Sequence, residues 1–291
     1  MEKWQLAQRQ SLPLEAKIIL SQQRIRDWYN YYNGQVYVSF SGGKDSTVLL
    51  HLVRSLYPNV PAVFVDTGLE YPEIREFVKT VDNVVWLKPK MTFQQVIQKY
   101  GYPVASKETA QKIDEIRSTK SDTLRRKRMY GDDKGNGKVS EKWKMLIDAP
   151  FKVSNKCCNV MKKSPIKTYE CKTNNKPIVG TMADESALRL MSYLEHGCNS
   201  FNSKRPMSTP IGFWKEEDVW EYIRKYRLHY SDIYNKGYDR TGCMFCMFGV
   251  HLEQGENRFR RMKRTHPKIH KYCMEKLGLK EVLEYINVPF E

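Results

Sequence analysis

The stretch Ser39-Phe40-Ser41-Gly42-Gly43-Lys44-Asp45-Ser46-Thr47 follows the apolar run Val36-Tyr37-Val38 and leads into Val48-Leu49-Leu50-His51-Leu52-Val53. It reads as a strand that ends in a glycine turn and opens a helix. A helix start of this kind offers unpaired backbone N–H groups and the positive end of the helix dipole to an anion. Gly42 and Gly43 let the backbone approach closely, Ser41, Ser46 and Thr47 add hydroxyls, and Lys44 can neutralise phosphate charge. With Ser39 at the strand end and Asp45 at the helix start, these residues are expected to form a phosphate cradle. Their spacing is not that of the loop that holds the β- and γ-phosphates in P-loop NTPases.

The rest of the chain supplies the frame for such a turn. Leu14–Tyr32 has apolar residues at helical spacing, Pro61–Val65 reads as a short buried strand and Val84–Leu87 as a third strand, and Pro72 opens a helical pattern through Ile74, Phe77 and Val78. Thr92 is placed to cap a helix over Phe93–Tyr100. Pro177–Gly180 reads as a later strand, with a helix expected from Asp184, and Glu216–Arg227 is another helix. Strands alternating with helices predict an α/β fold, a parallel sheet with helices on both faces. Ligands sit beyond the carboxyl ends of such strands, so Asp66-Thr67-Gly68 and Gly180-Thr181 are expected to share a crevice with the glycine turn. The expected organisation is a nucleotide-binding part over residues 1–200 and a mostly helical part over 201–291. Gly131–Lys138, polar and turn-rich, is expected to be a mobile loop.

No apolar run reaches the length of a membrane span, and the N-terminus lacks a secretory signal. A cytoplasmic location is the expectation, and in a reducing compartment seven cysteines suit metal binding or catalysis better than disulfides. The net charge of +16 concentrates in Lys120–Lys144, around Arg125-Arg126-Lys127-Arg128, and in Asn257–Lys271. These clusters predict a polyanionic partner, most simply DNA or RNA; the alternative is a solvated basic face.

Cys157-Cys158 and Cys243-Met244-Phe245-Cys246 form a second constellation. A CxxC turn brings two sulfurs to one side, and a second pair completes four ligands. Zinc is the common occupant of four-cysteine sites, although adjacent cysteines diverge and suit one tetrahedral ion poorly.

Taken together, the SGGKDS turn, Asp66-Thr67-Gly68, the Gly180-Thr181-Met182-Ala183-Asp184-Glu185-Ser186 run with Arg189, and the CC…CxxC set resemble the phosphoadenosine phosphosulfate (PAPS) reductase family. The resemblance spans Val36 to Cys246. It implies a Rossmann-like PP-loop fold of the adenine nucleotide alpha-hydrolase type, with a nucleotide bound at the turn. The cysteines resemble the 4Fe–4S ligand pattern of the adenylylsulfate (APS) reductases, which implies an iron–sulfur cluster next to the nucleotide.

Two features differ from the sulfonucleotide reductases. Their PP-loop is usually altered, whereas SGGKDS is intact here, as in the ATP pyrophosphatases that cut ATP between the α- and β-phosphates. They also end in a Glu-Cys-Gly segment with the attacking cysteine, whereas this chain ends Ile286-Asn287-Val288-Pro289-Phe290-Glu291. The combination looks more like the pyrophosphatase component of DNA phosphorothioation or a tRNA-thiolating enzyme. ATP and Mg²⁺ are then the expected ligands, with nucleic acid and a sulfur donor such as a cysteine desulfurase as partners. Two alternatives are an APS or PAPS reductase using Cys273, and a nucleotide-sensing, nucleic-acid-binding subunit.

Within that scheme Lys44 stabilises charge as pyrophosphate leaves. Asp45 binds Mg²⁺ or caps the helix, and Asp66 is a second Mg²⁺ contact or a turn residue. Arg189 contacts phosphate or sulfate, or forms a surface ion pair. Lys162 and Lys163 face cluster or substrate, or solvent. His51, Cys273 and the aromatic stretch Phe213–Tyr238 are read as packing.

Overall fold

Val36, Tyr37 and Val38 are all buried, although successive residues of a strand face opposite sides of its sheet. Both faces of the sheet are therefore covered at this strand. A computed structural model describes residues 1–291. Its strands are β1 (Val36–Ser39), β2 (Ala62–Val65), β3 (Val84–Leu87), β4 (Val104–Ala105), β5 (Lys176–Val179) and β6 (Met247–Phe248).

The chain divides into two compact units built from interleaved segments. The first comprises Met1–Asp66, Tyr71–Lys88 and Ile166–Thr241; the second comprises Thr67–Glu70, Pro89–Pro165 and Gly242–Glu291. In the first unit a four-stranded sheet runs β3-β2-β1-β5. Every pairing is parallel, with Val38 opposite Ala62 on one side and Ile178 on the other. The half-exposed residues of β3 mark it as an edge, while β1 and β2 are the apolar runs that a doubly covered parallel sheet requires.

Helices flank this sheet. The Lys44–Arg54 helix buries Val48, Leu49, Leu52 and Val53, and the Leu14–Tyr31 helix buries Ile18, Ile25 and Trp28. Lys17 on the latter donates to both carboxylate oxygens of buried Asp218 at 2.7 Å, on the Glu216–Tyr226 helix. Ser21 ties the same Leu14–Tyr31 helix to the segment before the Glu216–Tyr226 helix, accepting from the Trp214 indole N–H at 2.9 Å and donating to the Pro210 carbonyl at 3.0 Å. A helix after Asp184 forms later than the periodicity suggests. Ala183–Glu185 is a single 3-10 turn, and the α-helix spans Ala187–His196. The reason is Ser186, whose extended backbone lets its hydroxyl accept the Arg189 N–H as an N-cap.

In the second unit β4 and β6 pair in parallel. Thr92 caps the Phe93–Tyr100 helix in a reciprocal box with Gln95. The helices Lys107–Ser118 and Asp122–Tyr130 follow, and Arg258–Thr265, Pro267–Glu275 and Leu279–Tyr285 make the C-terminal part mostly helical. Gly131–Lys138 closes on itself: the Asp132 carboxylate accepts N–H bonds from Lys134 and Asn136. No helix of the chain is long and apolar enough to cross a membrane.

Candidate nucleotide-phosphate site and cysteine constellation

β1 ends at Ser39, and the Lys44–Arg54 helix opens two residues before Ser46, with Gly43 as its N-cap. Gly42 takes φ +72°, a conformation that side chains disfavour, and turns the chain from strand to helix. The turn is held by its own hydroxyls. Ser46 Oγ donates to the Gly43 carbonyl at 2.9 Å and accepts the Ser41 N–H at 3.2 Å, and Thr47 Oγ1 also donates to the Gly43 carbonyl at 3.0 Å. Ser41 Oγ accepts the Gly43 N–H at 3.3 Å. Gly43, the N-cap, has no side chain to cap the helix with, and Asp45 does not serve as its cap.

Lys44 is buried and its ammonium is fully engaged. It donates to the Asp239 carbonyl at 3.1 Å, pairs with Glu216 at 3.1 Å and lies 3.7 Å from Asp45. The Trp220 and Tyr234 rings stand 5.9 and 5.6 Å from it. Burial opposes its charge, but the Asp45 and Glu216 carboxylates outweigh burial and hold Lys44 above the usual lysine range. Asp45 is the converse case. Burial raises its carboxyl, Lys44 lowers it, and Glu185 and Glu216 push it up again, leaving a net rise. Asp45 Oδ1 is buried without a hydrogen-bond partner. A carboxylate oxygen that accepts no hydrogen bond at a helix start has the chemistry to take a hard divalent cation such as Mg²⁺.

In sequence Tyr234 is only one aromatic of the stretch Phe213–Tyr238, and Phe213, Trp214, Tyr222 and Tyr238 are indeed buried. Its hydroxyl nevertheless reaches the turn and accepts the Lys44 backbone N–H at 2.8 Å. Burial raises its phenol above the usual tyrosine range, keeping the hydroxyl protonated. Glu216 is likewise a helix-start residue in sequence, with nothing local to mark it as a partner of Lys44.

Gly180, at the end of β5, abuts the turn: a Cβ there would stand 3.0 Å from the Asp45 carbonyl oxygen. Asp66 follows β2, is buried and accepts from Arg75 Nη2 at 2.9 Å. Arg189 pairs with Glu185 and borders a 280 Å³ cavity with Thr181 and Thr209. A larger groove of 1060 Å³ runs along the Lys44–Arg54 helix past Thr47, Leu50 and Arg54; it flanks the turn rather than covering the helix start. His51 borders it and shares a 2.8 Å hydrogen bond with the Tyr222 hydroxyl, a packing role.

In the second unit Thr67 donates its hydroxyl to Glu70 at 2.7 Å, with Gly68 at φ +73° beside it. Cys157 and Cys158 close the short Lys156–Cys158 helix, immediately before a π-helical turn, Asn159–Lys163. Such turns recur at functional sites. Cys246 N–H donates to the Cys243 carbonyl at 3.1 Å, which forms the CxxC turn. Burial pushes the Cys157 thiol far above its usual range, and the charges of Cys243, Cys158 and Cys246 push it further. Burial likewise raises Cys243 to about 11, against the pull of Lys162, which hydrogen-bonds to it. Cys157 and Cys243 are near enough to other sulfurs of the set for those charges to raise their thiols. No three Cys, His, Asp or Glu side chains stand close enough to cage a single metal ion. The donor chemistry fits a thiolate-bound centre, and Lys162 faces these sulfurs rather than solvent.

Cys273 is fully buried, donates to the His270 carbonyl at 3.2 Å and has its thiol pushed by burial to about 12. A low-pKa, accessible nucleophile has the opposite properties. The basic clusters are also partly neutralised. Arg125 pairs with Asp122, Lys127 with Asp132 and Arg128 with Glu115. Arg258 pairs with Glu253, and Arg261 and Arg264 pair with Glu256. Arg126 and Lys268 are exposed and make no ion pair.

The model of the phosphoadenosine phosphosulfate reductase domain matches residues 35–127 and 84–248, which takes in both the glycine turn and the four cysteines. The chain belongs to this family. Its similarities within and around the PAPS reductase family are distant. It is 24% identical over 246 residues to the adenosine 5'-phosphosulfate reductase of Geobacillus kaustophilus, covering 84% of this chain and 86% of that protein. An uncharacterised protein of Methanocaldococcus jannaschii is 26% identical over 81% of this chain. The chain spans less than half the length of that relative and of a second one from the same organism, 46% and 42%. Among solved structures, the PAPS reductase of Candida auris in its phosphate complex is 16% identical, with a TM-score of 0.46 over 80% of this chain and 96% of that one.

Proposed function

We propose that this PAPS reductase family member cleaves ATP to AMP and pyrophosphate, adenylylating an acceptor oxygen for sulfur transfer on nucleic acid. The observation that carries the reading is the turn itself: helix-start N–H groups, a lysine, three hydroxyls and the Asp45 carboxylate, whose Oδ1 accepts no hydrogen bond, converge where β1 ends. The acceptor oxygen attacks the α-phosphorus and pyrophosphate leaves. A sulfur nucleophile then displaces AMP, a far better leaving group than the oxygen alone. Lys44 would neutralise charge on the departing pyrophosphate, and Asp45 would hold Mg²⁺ across the phosphates. Asp66, Gly180 and Arg189 would bound the site on the β2 and β5 sides.

Cys157, Cys158, Cys243 and Cys246 would hold a 4Fe–4S cluster, which supplies or stores sulfur when bound. The Cys157 and Cys243 thiols, raised by burial and by neighbouring sulfurs, support a centre that takes them up as thiolates. The net charge of +16 supports nucleic acid as acceptor. The test is anaerobic incubation with ATP, Mg²⁺, a cysteine desulfurase with cysteine, and either DNA or tRNA, followed by mass spectrometry of the released nucleosides. Sulfur in either nucleic acid supports the proposal.

The Geobacillus relative favours a second reading, reduction of a sulfonucleotide to sulfite. Its candidate nucleophile, Cys273, is weakened by burial and by a thiol pushed up to about 12. Sulfite released from APS or PAPS with thioredoxin, and no sulfur in nucleic acid, would establish it.

A further inference from the structure

The Tyr234 hydroxyl reaches the start of the Lys44–Arg54 helix. A helix start satisfies its first N–H groups with a side chain, water or a ligand, and Gly43, the N-cap here, has no side chain to offer. The acceptor comes instead from 190 residues along the chain, the Tyr234 hydroxyl at 2.8 Å from the Lys44 nitrogen. The same segment covers Gly43, where a Cβ would meet Thr241 Oγ1 at 2.7 Å and Tyr234 Oη at 3.2 Å. It also withdraws the cradle's cation, since Lys44 Nζ donates to the Asp239 carbonyl and pairs with Glu216, both at 3.1 Å. A single N–H cannot serve a phenol and a phosphate oxygen at full strength.

We propose that Tyr234 is a self-cap: its hydroxyl, with Asp239 and Thr241, competes with a phosphate for the start of the Lys44–Arg54 helix and sets the affinity for the phosphate end of the nucleotide. This rests on the nucleotide reading above and assigns it an affinity-determining residue. The incoming phosphate displaces the hydroxyl and frees the Lys44 ammonium from the Asp239 carbonyl. The Trp220 ring, 5.5 Å from Tyr234 and 5.9 Å from Lys44 Nζ, moves into a different environment as this happens.

The test is calorimetric titration of the full chain with magnesium pyrophosphate and with Mg·ATP, comparing wild type with Tyr234→Phe. Removing one capping hydrogen bond should tighten both ligands about three- to tenfold. Thr241→Val, which removes a hydrogen-bond partner of that hydroxyl, should tighten them less. It serves as the second variant if Tyr234→Phe is poorly folded. Ligand-induced fluorescence change should shrink in Trp220→Phe. Equal or weaker binding by both hydroxyl variants overturns the self-cap while leaving the nucleotide site standing. Binding by none of the proteins overturns the nucleotide reading, and the self-cap with it.

Discussion

A Cβ on Gly180 would stand 3.0 Å from the carbonyl oxygen of Asp45 and 3.3 Å from the Ser46 nitrogen, so strand β5 and the phosphate turn touch backbone to backbone. The atoms it would meet belong to a helix's first turn, which cannot shift without moving the cradle. Gly180→Ala should therefore destabilise the fold by about 1–3 kcal/mol through overpacking. It should also weaken Mg·ATP binding, read by a urea transition and by calorimetry; an unchanged affinity would show that Gly180 does not set the cradle's position.

The cysteine constellation makes a compositional prediction. Anaerobically purified protein should be brown and carry about four iron atoms per chain, as a cubane cluster requires. Cys243→Ser should lose most of that iron, whereas Cys273→Ser should keep it, because Cys273 is packed against the His270 carbonyl. Colourless protein with one zinc would contradict the cluster and leave the phosphate turn untouched.

Nucleic-acid binding should depend steeply on salt, with each phosphate contact adding about 0.7–0.9 to the log–log slope. Because Arg125, Lys127 and Arg128 have carboxylate partners, Arg126→Ala alone should flatten the slope by about one contact's worth. Substituting the three paired residues as well should add less than three further contacts. No binding in dilute buffer would make the clusters a solvated face.

The parts of this protein that are local in sequence are legible in it. Glycines after an apolar run dictate a strand-turn-helix, Thr92 three residues before Gln95 dictates a cap, and alternating strands and helices dictate a parallel sheet. Long-range pairings are not legible. Nothing near Tyr234 indicates that its hydroxyl reaches Lys44, because the contact depends on where the Glu216–Tyr226 helix returns the chain. The Asn257–Lys271 run looks unopposed in sequence because its partners Glu253 and Glu256 lie outside it, and Glu115 likewise reaches Arg128 from outside the Lys120–Lys144 run only through folding. Ser186 shows the same limit on a small scale, since a serine at a helix start looks like any other until its backbone is extended.

The most direct measurement is the product pattern from Mg·ATP labelled separately at the α- and γ-phosphates, with anaerobically purified full chain and with nucleic acid and sulfur donor present. The account predicts AMP and pyrophosphate, lost in Lys44→Ala and sharply reduced in Asp45→Asn. ADP and orthophosphate, or product formation unaffected by Lys44→Ala, would contradict it.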